Sequence, residues 1–107
     1  QIPNNNYLQV ISKSKSWNNS KKIMYVIGAT KTEYFKKIRN LIPESFLLIP
    51  GVGSQGGDIS DVIQSATSTS NNIIINISRA IIYASSKEDY LDRAEDVVDN
   101  YNNITNL

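Results

Sequence analysis

Apolar residues along this chain follow two rhythms. Three runs are short and continuous: Met24 to Ile27 (MYVI), Phe46 to Ile49 (FLLI) and Ile73 to Ile77 (IIINI). Each is rich in strand formers and predicts a buried strand. Elsewhere the apolar residues recur at helical spacing. Tyr7, Leu8, Val10, Ile11 and Trp17 predict one amphipathic helix. Tyr34, Phe35, Ile38, Leu41 and Ile42 fall at i, i+1, i+4, i+7 and i+8, a single stripe. Thr30-x-x-Glu33 reads as a capping box opening that helix, and Pro43 closes it. Asp58 is a good N-cap for a helix over 59–66. Tyr90, Leu91, Ala94, Val97, Val98, Tyr101 and Ile104 predict a long last helix, capped by Ser85 or Ser86.

The order is therefore a helix, then strand–helix three times. Continuous rather than alternating apolar strands predict a parallel sheet covered on both faces. The repeat of about 25–30 residues fits successive βα units. A doubly wound open sheet and part of a (β/α)8 barrel both satisfy this pattern. Three strands leave parallel edges in need of cover. That favours a piece of a larger fold over a small standalone α/β domain. The first residue is Gln1, not Met, and helix-like sequence starts almost at once, which fits an internal start.

Composition narrows the chemistry more than the fold. The 107 residues are 40% apolar and 20% charged, ordinary values for a globular protein, with a net charge of +1. That balance argues against bulk attraction to nucleic acid or membrane. There is no Cys, hence no disulfide framework and no thiolate metal site. There is no His, the commonest acid/base at neutral pH and the commonest metal ligand. No run is long and apolar enough to span a bilayer, and no secretory signal is visible, so a cytoplasmic location is the default expectation.

The chemistry-bearing stretch is PGVGSQGGD, Pro50 to Asp58, between the second strand and the next helix. Gly51-x-Gly53-x-x-Gly56 matches a dinucleotide fingerprint, but that reading needs an acid at the end of the following strand. That strand ends in Ser78-Arg79 instead. A phosphate suits the pattern better. Glycines allow a sharp turn and close backbone approach, and N–H groups at a helix start favour an anion. Gln55 adds a neutral donor, and Arg79 adds a fixed charge with a planar fork. In a (β/α)8 barrel, phosphate commonly sits on the loops after the last two strands. Either feature alone is often structural, a tight turn or a surface ion pair. Together, on consecutive strands, they predict an anion site.

Three motifs in order then carry a resemblance: YVIGATK, IRNLIPESFLLIPGVGSQGGD and INISRAIIYAS. They resemble the C-terminal part of the orotidine 5'-phosphate decarboxylase family, closest to its bacterial-type branch. The resemblance runs from about Tyr7 to the final helix. It implies strands six to eight of a (β/α)8 barrel, with residues 1–107 forming the C-terminal segment of one barrel domain whose N-terminal half is absent. It implies a cofactor-free carboxy-lyase that converts orotidine 5'-monophosphate to uridine 5'-monophosphate in pyrimidine synthesis. Gln55, Gly56, the backbone N–H of Ser78 and the Arg79 side chain match the family's substrate-phosphate contacts. Pro50 and Val52 match residues packed near the pyrimidine. Ser54 stands where Ala is commoner, and Ile77 where Ser is frequent. Gly28-Ala29-Thr30 matches the end of strand six and reads as loop geometry with a helix cap.

The family's Lys–Asp–Lys–Asp network, carried by a DxKxxD run, has no match here, so no catalytic residue and no metal ligand are assigned within the chain. The charges of KEDYLDRAED, Lys87 to Asp96, read as a wet helix face. Expected partners are the nucleotide, the remainder of the barrel and a second subunit in a homodimer, with no nucleic acid and no membrane. Two further functions fit the same residues: a half-barrel that binds phosphate or nucleotide without catalysis, and another phosphate-binding barrel lyase. An isolated half-barrel would also expose its interior and its strand edges, which predicts self-association.

Overall fold

The computed structural model describes residues 6–29, 33–53, 58–67 and 72–105. Helix α1 is Asn6–Ser14, followed by a 3₁₀ turn at Ser20–Lys22. Strand β1 is Tyr25–Val26, α2 is Glu33–Leu41, β2 is Leu47–Pro50 and α3 is Ile59–Ala66. Strand β3 is Ile73–Asn76, then come a one-turn helix α4, Arg79–Ile82, and the long α5, Tyr90–Thr105. The strands form one parallel sheet in the order β1-β2-β3. This is an α/β fold with parallel strands, as the continuous apolar runs predict.

Register explains which side chains share a face. Tyr25 pairs with Leu47 and Leu47 with Ile73, while Val26 pairs with Leu48 and Leu48 with Ile74. Successive residues of a strand point to opposite faces. Leu47, Ile49 and Ile73 are buried beneath the helices, with Phe35, Ile38 and Ile42 of the α2 segment and Val62 and Ala66 of α3. The Asp58 carboxylate accepts from the Asp61 N–H at 3.4 Å and starts α3 where expected.

The other face is open. Val26 is 67% exposed and Ile74 46%, with Leu48 half-buried between them. Met24 and Phe46, one residue ahead of β1 and β2, are exposed too. Among the described residues helices cover one face only: the cover that the continuous apolar runs ask for on both faces is absent from the second, which is the face that a half-barrel standing alone is expected to leave open. The Cα radius of gyration, 15.9 Å, exceeds the roughly 13 Å of a compact domain this long, as an open layer should.

Two helix boundaries also differ from expectation. Trp17 lies beyond the end of α1, in a turn held by Trp17 N–H to Ser14 C=O at 3.1 Å, and is half exposed. Ser14 ends α1 by bonding Ile11 C=O and the Tyr25 hydroxyl, both at 2.6 Å, which pins α1 to β1. The last helix starts at Tyr90 rather than directly after Ser85 or Ser86. Ser85 instead organises the turn before it, accepting from Lys87 N–H at 3.1 Å and donating to the Asp89 carboxylate at 2.6 Å. The Thr30 half of the capping box lies outside the described residues.

Candidate anion-binding site

In a parallel sheet all strands point the same way, so the segments after β2 and β3 emerge at one end of the sheet. Gly51 and Gly53 follow β2 with φ of 90° and 83°, in the left-handed region that glycine alone enters freely. The chain therefore turns at once after Pro50, as the motif predicts. Gln55 and Gly56 lie outside the described residues. After β3, the Ser78 hydroxyl reaches the Asn76 side chain at 3.4 Å, and its C=O accepts from Ile81 and Ile82 N–H at 3.1 and 2.9 Å. Those bonds form α4, whose first residue is Arg79.

Arg79 is exposed, and among the described residues no carboxylate pairs with it. Contrast Arg93 on α5, which pairs with Asp89 at 3.2 Å and Asp96 at 3.7 Å. The bland alternative for Arg79, a surface ion pair, is what Arg93 shows and Arg79 does not. The residues 87–96 are exposed apart from Ala94, in keeping with a wet face. Pro50 is the last residue of β2, half-buried, and shares the open face with Leu48 by strand alternation. Val52 is 2% exposed and packs into the helix-covered core. Of this pair, Pro50 is the residue whose ring reaches the open side. No cluster of three metal-ligating side chains occurs among the described residues.

The opposite end of the strands carries an arrangement that the sequence motifs do not announce. Arg39 is 6% exposed. Its Nε donates to Ala66 C=O, ending α3. Its Nη1 donates to Ile42 C=O at 3.0 Å and Ser45 C=O at 2.5 Å. Its Nη2 donates to Asn72 C=O at 3.0 Å and Asn72 Oδ1 at 2.7 Å. Asn72 in turn donates to Pro43 C=O at 3.2 Å. Burial pushes the Arg39 pKa down, and the carbonyl oxygens oppose that desolvation. A signal was present: Arg39 stands four residues after Phe35 and three before Ile42, inside the apolar stripe of α2.

Comparison with known proteins bears on this geometry. No family model matches the chain. An orotidine 5'-phosphate decarboxylase of Flavobacterium johnsoniae is 48% identical over 90 residues, 84% of this chain and 33% of that protein. One from Christiangramia forsetii is 49% identical over 88 residues, 82% of this chain and 32% of that protein. The chain is homologous to orotidine 5'-phosphate decarboxylases. It spans about a third of the length of these relatives. Among solved structures, Leishmania donovani OMP decarboxylase superposes with a TM-score of 0.72 at 20% identity, covering all of this chain and 42% of that one. Leishmania donovani UMP synthase does so at 0.69 and 24%, covering 92% of this chain and 22% of that one. Those identities speak to the fold alone: parallel α/β, as found in OMP decarboxylases.

Proposed function

We propose that this chain is the substrate-phosphate-binding part of an orotidine 5'-phosphate decarboxylase, formed by strands six to eight of a (β/α)8 barrel. The observation that carries the reading is the pairing of two features at one sheet end. A left-handed glycine turn follows β2, and an exposed Arg79, unpaired among the described residues, follows the neighbouring β3. Arg79 supplies charge and a bidentate fork to the phosphate, and the Ser78 N–H, Gln55 and Gly56 supply neutral donors. Pro50, with Val52 behind it, borders the pyrimidine. The Lys–Asp network that acts on the carboxylate belongs to the remainder of the barrel. Binding energy at the phosphate, remote from the reacting carbon, then supports orientation and desolvation there. The enzyme needs no cofactor, works in the cytoplasm and acts as a homodimer.

The test is turnover by the full-length protein carrying this chain. It should release CO2 from orotidine 5'-monophosphate. Arg79→Ala should raise KM roughly 10- to 100-fold, the value of one charge-assisted contact. Turnover of the phosphate-free nucleoside should be untouched by the same change. An unaltered KM would remove Arg79 from the grip. Phosphate binding without CO2 release would favour a non-catalytic module instead.

A further inference from the structure

Gly53, Ala80 and Tyr101 are distant in sequence and meet at one point. A Cβ built on Gly53 would stand 2.6 Å from the Tyr101 hydroxyl, 3.8 Å from its Cζ and 3.5 Å from the Ala80 Cβ. The first distance is shorter than real contacts permit, so the absent side chain at residue 53 is what lets the phenol sit there. Tyr101 is the half-buried tyrosine near the end of the α5 stripe. Its ring borders an open cavity of about 360 Å³, whose walls include Ile59 of α3, Ile75 of β3 and Ile81 of α4. Ala80 directly follows Arg79. One phenol thus fills the space beside the turn after β2, and that same space borders Ala80, the residue next to the candidate phosphate ligand.

We propose that Tyr101 is a positioning residue of the anion grip: it seats the Gly53 turn against α4 and so fixes the two halves of the grip relative to each other. The proposal rests on the phosphate reading above. No contact between Tyr101 and a ligand is needed. Its effect passes through Gly53 and Ala80, and a loosely held turn would spread the donors that must converge on one phosphate. Gly53 adds a second reason for the brace. Glycine adopts its φ of 83° without strain but is also the most conformationally free residue, so the turn does not hold its shape on its own.

A mutant cycle in the full-length protein tests the contact. Tyr101→Leu removes the phenol and should raise KM for orotidine 5'-monophosphate about tenfold, with kcat changed less than KM. Turnover of the phosphate-free nucleoside should stay within about twofold. A residue that merely stabilises the fold would lower both substrates alike. Gly53→Ala should also raise KM, through strain and through the crowding against Tyr101. Tyr101→Phe keeps the ring and removes the crowding oxygen, so it serves if the leucine variant fails to fold. Gly53→Ala should then do severalfold less harm in the Tyr101→Phe background, because backbone strain cancels in the cycle and the contact remains. Equal harm in both backgrounds, or equal losses with both substrates, overturns the brace. The same cycle is read by calorimetry with inorganic phosphate. If the parent binds phosphate without releasing CO2, only the decarboxylase reading falls and the cycle still decides on Tyr101. If it binds neither ligand, both fall.

Discussion

Arg39 and Arg79 are the same residue put to opposite uses at opposite ends of one sheet. Arg39 lies where the strands begin, 6% exposed, with five hydrogen bonds and no carboxylate among the described residues. Arg79 lies where they end, exposed and unpaired among the described residues. The first is completed by its own chain. The second leaves its donors for something else. In barrel folds the end where strands finish carries function and the other end carries stability. Under the proposed barrel reading, that division is visible in how two guanidinium groups are satisfied.

The strongest way to break this contrast is to remove Arg39. Its five acceptors would be left in a dry site, each at a cost of ~1–3 kcal/mol if unmet. Arg39→Met should therefore destabilise the full-length protein by at least about 3 kcal/mol, read from urea unfolding. Arg39→Lys should restore only part, since an ammonium lacks the planar fork. A loss below about 1 kcal/mol would show that water reaches these carbonyls and that the two ends do not differ as described. Arg79→Ala is the reciprocal variant. Its unfolding free energy should stay within about 0.5 kcal/mol of the parent, as for an ordinary surface change, while phosphate binding suffers.

A smaller effect sharpens what burial demands of polar groups. Among the described residues, the Tyr7 hydroxyl is buried without a hydrogen-bond partner, where its ring packs 5.6 Å from that of Tyr34. Tyr7→Phe keeps the ring packing and removes the unmet group, so it should stabilise the protein by about 1 kcal/mol. A loss of stability would mean that this hydroxyl finds a partner in solution. The smallest effect concerns pH. The Ser85 hydroxyl, with help from Arg93, holds the Asp89 carboxyl below its usual value despite some desolvation. A depressed carboxylate favours the folded state above the ordinary Asp value of 3.8. That contribution fades as pH falls from there through the folded-state pKa. Ser85→Ala should shift the Asp89 titration upward in carbonyl NMR, and an unmoved midpoint would assign the effect to Arg93.

Much of the fold was legible because its signals are local. The α3 boundaries follow from Asp58 and the apolar spacing, and the three strands follow from continuous apolar runs. The glycine turn was legible because positive φ selects glycine. Helix α4 was not, since four residues are too few to show a period. The Arg39 hub was hidden for a different reason. Most of its partners are main-chain carbonyls at Ile42, Ser45, Ala66 and Asn72, whose side chains need not advertise it. Only a charge inside an apolar stripe betrays it. Apolar content on both sides of a strand states a need for cover on its second face. It does not say which chain segment supplies that cover. Tyr101 falls on the core spacing of the last helix. Its approach to Gly53 depends on the tertiary arrangement of three distant segments.

The open face also sets a thermal property of the chain. Val26, Leu48 and Ile74 lie side by side across the sheet, flanked by Met24 and Phe46. Attraction between apolar surfaces is largely entropic near room temperature and weakens on cooling. Association through this face should therefore strengthen on warming and relax in the cold, the reverse of association held by ion pairs or hydrogen bonds. Handled alone, these 107 residues should stay dispersed near the freezing point of water and cloud reversibly as they approach body heat.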